Sequence, residues 1–406
     1  MTQKKNDHII PLAIIGMMFF IVGFALGINS YIVPLLQNAL NVSSGQSYLL
    51  LASTFAAFLL FSYPATALIT KVGYKKTMVL SFAIFALGFI LFVPSAKLQS
   101  LPLFMIASFI CGMGNTVLQA AINPYATYLG PIDTAARRIS IMGICNIVAW
   151  PVSPLFLAWL IGKNLDEMVL SDIIFPFYVL TAIFIGLGVL VWVSPLKEMA
   201  FGEQEDETSE PAEDEGKTSI FQFPHLILGA IALFMYVGVE TIAMASSVDY
   251  AASINLPDPE QYAMIPSIGM ILGYIFGIIM IPKYLSQSGA LRLHSWIAIA
   301  GTLAVVLLPE ALSIYAVAVV TFGCSVMYPA IFPLALKGLG RFADKGSSIL
   351  VACIAGGSVV PLIYGFLKDA VGSQAAYWVG IPCFAFILFY AYVGYKMKYK
   401  MKYKKS

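Results

Sequence analysis

The sequence predicts an all-α membrane protein whose 12 transmembrane helices form two bundles of six. Three observations lead there. Of 406 residues, 60% are hydrophobic and only 11% charged, whereas a water-soluble chain of this length would cover two or three domains with about 25% charged residues. The apolar residues gather in runs of about 20, the length at which a helix crosses the hydrocarbon core. Lysine and arginine are dense in every second loop and sparse in the others, as they are when alternate loops face the cytoplasm.

The first run, 9–36, follows Lys4 and Lys5. It is too long for a signal-peptide core and lacks a small-residue cleavage site, so it is expected to stay in place as a span. Runs 48–69 and 77–94 flank the basic loop Lys71, Lys75 and Lys76, and run 101–129 leads to Arg137 and Arg138. Runs 139–161 and 173–193 complete the first six, the fifth with Pro151 and Pro154 inside it; interior Pro and Gly are tolerated where neighbouring helices satisfy the freed backbone groups. A stretch from 202 to 217 then holds Glu203, Glu205, Asp206, Glu207, Glu210, Glu213, Asp214 and Glu215 with almost nothing apolar. Such a segment is expected to be a disordered, solvated tether, with a phosphorylated or partner-binding loop as the other reading.

The pattern resumes at 226–251, 262–281, 294–308, 311–336, 347–367 and 376–395. Residues 1–193 and 223–395 are therefore expected as the two bundles, 194–222 as the linker and 396–406 as a tail. That tail alternates Lys with Tyr and Met beside a span, a pattern suited to anionic lipid headgroups and not, in that position, to nucleic acid. Weak internal repetition supports the division: Asn123-Pro124-Tyr125 and Tyr328-Pro329 end the fourth and tenth runs, each followed by basic residues, and Pro361 lies past the middle of the eleventh as Pro151 does in the fifth. Twenty of the 23 Lys and Arg residues fall on one side, against Lys97, Lys163 and Lys368 on the other. Both termini are thus expected in the cytoplasm. The five cysteines share no spacing, and His8, His225 and His294 lie far apart near cytoplasmic helix ends, so neither a metal nor a cofactor is expected and the histidines read as interfacial.

Asn115, Gln119 and Asn123 recur every fourth residue, which places them in a stripe roughly 80° wide on one helix face. Amides facing lipid are costly, so the stripe is expected to face the bundle interior. There it serves either interhelical hydrogen bonding or a ligand rich in hydroxyls, which needs donors and acceptors together. Asn123, before Pro124, has a further reading as the cap of a helix break. The first six runs contain no carboxylate in their interiors, and Glu240 stands alone near the middle of the seventh, with Tyr236 four residues earlier and Ser247 seven later on its face. An acid at that depth is a functional candidate by default, the alternative being a buried neutral acid bonded within the bundle. Glu240 is the expected proton-coupling residue, with Asp249 a second candidate.

Two six-helix halves joined by a cytoplasmic loop resemble the major facilitator superfamily, whose members rock two halves around a central site. The loop from Thr66 to Lys76 is similar to that superfamily's signature, with Thr70 in place of its usual acid. Several segments together resemble the fucose, galactose and glucose symporter family: 23–29 with 34–37, 119–125 with 129–131, Tyr236 to Glu240, 328–332, and 337–340 with 346–348. The likeness runs nearly end to end, apart from linker and tail. It implies a central sugar site, but the family's first-helix aspartate falls on Ser30 and its fourth-helix glutamate on Gln119, while its sugar-contacting fifth-helix asparagine is kept as Asn146. Trp150, four residues on, shares the Asn146 face and reads as a stacking platform for a sugar's C–H face or as packing. Asn29, Ser30 and Tyr328 are further candidates, with Gln37 at the outer mouth.

The expectation is a secondary active transporter of the bacterial inner membrane, acting as a monomer, that takes up a neutral hexose, 6-deoxyhexose or N-acetylhexosamine by proton symport. Its partners are the sugar, the coupling proton or Na⁺, and membrane lipids. Uncoupled or Na⁺-coupled sugar carriage and multidrug export on the same fold are the alternatives. An enzyme would need a catalytic constellation in the spans, and no HExxH, GxSxG or aspartate pair is present in the sequence; a channel would need a filter repeat or charged ring.

Overall fold

The computed structural model describes residues 9–128, 135–163, 167–196, 218–281, 283–339 and 342–397. His8, most of the acidic linker, the tail beyond residue 397 and the side chains of Ser30, Arg137 and Arg138 lie outside that description. Among the described residues, 12 helices are long and apolar enough to cross a membrane. The first six are Ile9–Leu40, Ser44–Val72, Tyr74–Lys97, Leu101–Tyr128, Ala135–Ile161 and Ile174–Val193. The others are Pro224–Ala245 with its continuation Ser247–Ser253, then Met264–Met280, Gln287–Leu307, Glu310–Cys324 with Met327–Leu336, Ala343–Ala352 with Gly356–Val371, and a twelfth built from Ser373–Ala376 and Gly380–Tyr392.

Helix starts follow local chemistry more than hydropathy. The second helix begins at Ser44, ahead of its apolar run, because Ser43 caps it: the Ser43 hydroxyl accepts from Gln46 N–H at 3.2 Å and Gln46 Oε1 accepts from Ser43 N–H at 3.0 Å. Gly73, at φ 87°, separates the second helix from the third.

Without a hydrophobic force between helices in lipid, close packing holds each bundle together. In the first half the first helix packs on the fifth, the second on the fourth, and the third on both the fourth and the sixth. A phenylalanine cluster fills the last of these junctions, with the Phe92 and Phe177 rings stacked at 4.4 Å. In the second half the seventh packs on the tenth, eleventh and twelfth, and the tenth on the eighth and ninth. Backbones touch where glycine removes a side chain: a methyl on Gly23 would strike the Asn146 carbonyl, and one on Gly356 the Phe234 carbonyl. The halves meet where the second helix lies along the eleventh, the fifth along the eighth, and the first beside the seventh.

Two expectations change, at Asn123 and at His294. The fourth helix runs through Asn123 without a break. Pro151, Pro154 and Pro361 lie inside continuous helix, tolerated there as the sequence reading allows, and the interruptions among the described residues include Ser246, Ser325–Val326 and Cys353–Ala355. At the second of these a serine hydroxyl competes with the helix ladder, Ser325 donating to the Phe322 carbonyl at 2.8 Å, and at the first Ser246 pairs with the Tyr377 hydroxyl at 2.7 Å, tying the seventh helix to the twelfth. His294 is not interfacial. It is fully buried, its ring stacked on Phe322 at 5.4 Å with Nδ1 bonded to the Phe322 carbonyl at 3.1 Å.

Candidate functional site

Two constellations emerge, one around mid-depth and one at the end of the bundles opposite the linker. In the first half at mid-depth, Asn115 is 1% exposed and uses Nδ2 to donate to the Val22 carbonyl at 3.4 Å, while its Oδ1 accepts from Gln119 Nε2 at 2.8 Å. Asn115 is thereby a fixed strut between the first and fourth helices. Gln119 is half-buried, and its side-chain carbonyl oxygen has no partner among the described residues. Asn146 is likewise half-buried, donates Nδ2 to the Phe19 carbonyl at 3.1 Å, and keeps its own side-chain carbonyl open among those residues. Each amide spends a donor on orientation and retains an acceptor.

The other first-half candidates are held by packing. Asn29 is buried and donates to Thr54 Oγ1 at 3.3 Å, which pairs with Ser108 at 2.5 Å, a polar chain across the first, second and fourth helices. Trp150 is buried against the first helix, where Gly27 allows the backbones to meet. Asn123 is half-buried near the linker end of the fourth helix.

In the second half the half-buried Glu240 carboxylate is within hydrogen-bonding reach of the Tyr236 hydroxyl. Tyr274, Tyr328 and Cys324 all lie within its electrostatic reach. The Tyr236 and Tyr328 rings are 6.4 Å apart, and Tyr328 stacks on Phe332 at 5.5 Å. Tyr328 sits one residue past the start of the helical segment that follows the interruption of the tenth helix, the kind of place where broken membrane helices form sites. The structure therefore brings Tyr236, Glu240 and Tyr328 near one another.

Tyr274 was not among the sequence candidates. Gly269, Gly273 and Gly277 turn one face of the eighth helix onto the tenth, and Tyr274 emerges beside that face. A methyl on Gly143 of the fifth helix would sit 3.3 Å from the Tyr274 ring and 3.4 Å from its oxygen. Since Gly143 is one turn before Asn146, Tyr274 bridges the Glu240 cluster to the amide side of the site. The available signal was that Tyr274 is the one large polar side chain in Met264–Met280, and it was lost among 21 tyrosines.

Asp249 lies apart from Glu240, nine residues on and about 13 Å along the helix axis. It takes part in the second constellation: Lys368 Nζ is 2.6 Å from its Oδ1, and Gln37 Nε2 and the Tyr48 hydroxyl donate to it at 3.2 Å each. Ser247 is fully buried and its hydroxyl has no partner among the described residues.

Comparison with known proteins agrees with this architecture. A profile of the Major Facilitator Superfamily matches residues 15–361. The chain is 32% identical to a glucose/galactose transporter of Brucella abortus, over 97% of this chain and 96% of that one. It is 25% identical to the L-fucose-proton symporter of Escherichia coli, over 96% and 94% of the two chains. The crystal structure of the superfamily transporter FucP in the outward conformation aligns with a TM-score of 0.69 at 24% identity, covering 95% of this chain and 98% of the other.

Proposed function

The chain belongs to the major facilitator superfamily, and from that premise we propose that it carries a neutral sugar across the bacterial inner membrane, as a hexose, 6-deoxyhexose or N-acetylhexosamine, by alternating access coupled to a proton. The observation that carries this reading is the pairing of two half-buried amides with open carbonyls, Gln119 and Asn146, with the phenols Tyr274 and Tyr328 of the other half. Hydroxyl groups need acceptors and donors in one place, and these residues offer both. An ionised solute would meet little fixed charge there apart from Glu240. The names of the relatives point the same way.

In this reading Glu240 exchanges the coupling proton, with Tyr236 holding the carboxylate in place, while Asn29, Asn115 and Trp150 shape the first-half wall and Asn123 lines the path toward the linker end. Residues 1–193 and 223–395 move as two bodies tethered by 194–222, and the tail 396–406 rests on anionic lipid. The linker end faces the cytoplasm, as the distribution of Lys and Arg indicates. Uptake of labelled compounds into proteoliposomes, across sugars, amino acids, peptides and lipophilic cations, tests the assignment. Sugar accumulation driven by an inward proton gradient is expected; transport confined to amino acids, anions or exported cations would refute it.

A further inference from the structure

We propose that Asp249 and Asp369 form a two-point latch across the outer mouth, which sets how readily the transporter opens to the outside and hence the affinity it shows there. The proposal rests on the orientation above, in which the end opposite the linker is the outer one.

Among the described residues, four hydrogen bonds with these two acids cross between the halves at that end, and in each the acceptor is a carboxylate of the second half and the donor belongs to the first. Asp369, at the end of the eleventh helix, accepts from Ser44 N–H through Oδ1 and from Gly45 N–H through Oδ2, both at 2.8 Å. These are orphan amides at a helix start, where a negative charge is also favoured by the helix dipole. The second helix caps a third amide, that of Gln46, with its own Ser43. Two amides are thus left for the opposite half, which bonds them while the mouth is shut; opening hands them to water.

The second point is Asp249. Its side chain is 4% exposed and that of Lys368 is 9%, so the pair is nearly out of water, where a lone charge is costly. Both residues belong to the second half and move together. Gln37 and Tyr48 of the first half add only neutral donors to Asp249, with the Ser44 hydroxyl steadying Gln37 Oε1 at 3.4 Å. Opening therefore breaks hydrogen bonds but never orphans a buried charge, which suits a bond that must be made and broken in every cycle.

The surrounding packing fits the same role. The second and eleventh helices close on each other through glycines offered from both sides, Gly45 against Phe366 and Gly365 against Tyr48, with the Tyr48 and Tyr364 rings edge to face at 5.6 Å, so large side chains rest on backbone and on each other's faces. A cavity of about 310 Å³, lined by Tyr250, Ser253, Glu310, Lys368, Ser373 and Gln374 among others, lies behind the ion pair within the second half. It gives solvent a way to Lys368 without passing the latch.

The test uses the full chain in proteoliposomes carrying Phe55→Cys, a position buried between the second and eleventh helices, with a membrane-impermeant thiol reagent applied to either face and no sugar present. Because Asp369 is exposed, Asp369→Asn should fold. It is expected to raise outer-face labelling of the introduced thiol by about tenfold, the scale of weakening a charge-assisted bond, and to lower the outer half-saturation constant for transported solute. Asp249→Asn leaves Lys368 unpaired, so the neutral double variant Asp249→Asn with Lys368→Gln is measured beside it and should label faster than the parent. Unchanged labelling in an Asp369→Asn protein that still catalyses counterflow would overturn the latch. A rise confined to the linker face would overturn its assignment to the outer mouth. Since no sugar enters the labelling assay, neither result depends on what is carried.

Discussion

Removing the charge of Glu240 while keeping its shape separates coupling from binding. Glu240→Gln is expected to abolish proton-gradient-driven accumulation and to retain sugar counterflow, both measured in proteoliposomes; undiminished accumulation would leave Glu240 a structural residue. Tyr274→Phe removes one hydroxyl from the junction between the Glu240 cluster and Gly143. If that hydroxyl bonds the sugar, the half-saturation constant should rise about tenfold with little change in melting temperature. Glu240 was legible in the sequence because an isolated acid in an apolar run has few innocuous explanations. Asp249 was legible as a buried acid but not as to its partner, since Lys368 stands 119 positions away and reads in sequence as one of three positive residues on the sparse side. The amides were found as a stripe, but their unequal roles were not: Asn115 is consumed by the Val22 carbonyl and Gln119 is not, a difference set by which helix lies opposite.

Helices here are defined by what approaches them. Gly23 admits the fifth helix to the first, and even Ala at that position would collide with the Asn146 carbonyl. Gly23→Ala is expected to destabilise the protein by about 1–3 kcal/mol, typical of overpacking, and to depress transport by displacing Asn146. Gly186 in the sixth helix faces nothing within 4 Å, so Gly186→Ala should leave melting unchanged or raise it slightly. Thermal melts of the two variants in detergent, with Gly186→Ala as control, check the contrast. Hydropathy located the spans to within about four residues, because lipid demands a minimum apolar length, except at the ninth, which starts at Gln287 and not at 294 because Ser286 caps it, accepting from Gly289 N–H at 3.1 Å. It did not locate the interruptions. Proline marked positions that the bundle accommodates in continuous helix, whereas one interruption falls where Ser325 bonds the Phe322 carbonyl of its own helix and another where Ser246 pairs with Tyr377, a partner that only the folded chain supplies.

At the scale of the molecule, two bundles meet along the second and eleventh helices and along the fifth and eighth. The number of spans was legible because one missed helix would have scrambled the alternation of positive loops. Which ends of the halves touch was not, since contact across the mouth depends on residues hundreds of positions apart, as Ser44 and Asp369 are. A Cβ on Gly365 would lie 2.9 Å from that of Tyr48, closer than the roughly 3.5–4.5 Å a disulfide spans, so a cross-link there needs the two helices to part by only about 1 Å. The double variant Tyr48→Cys with Gly365→Cys is therefore expected to lose net uptake on oxidation and recover it on reduction. Uptake that persists after complete cross-linking, scored by mobility on a gel, would show that this seam stays closed throughout transport.

The neutrality of the Lys368–Asp249 pair has an electrical consequence. The Asp249 point of the latch carries its plus and minus charges together on one body and so displaces no net charge through the transmembrane field, where each unit would be worth about 2.3 kcal/mol per 100 mV, while the Asp369 charge sits exposed at the mouth, outside the apolar layer across which the field falls. On the proposed reading, the current that accompanies each sugar is then the charge of the proton carried by Glu240. Sugar-evoked currents on a supported membrane should persist in Asp369→Asn and disappear in Glu240→Gln, so that voltage acts on the loading of one carboxyl group and not on the swing of the gate.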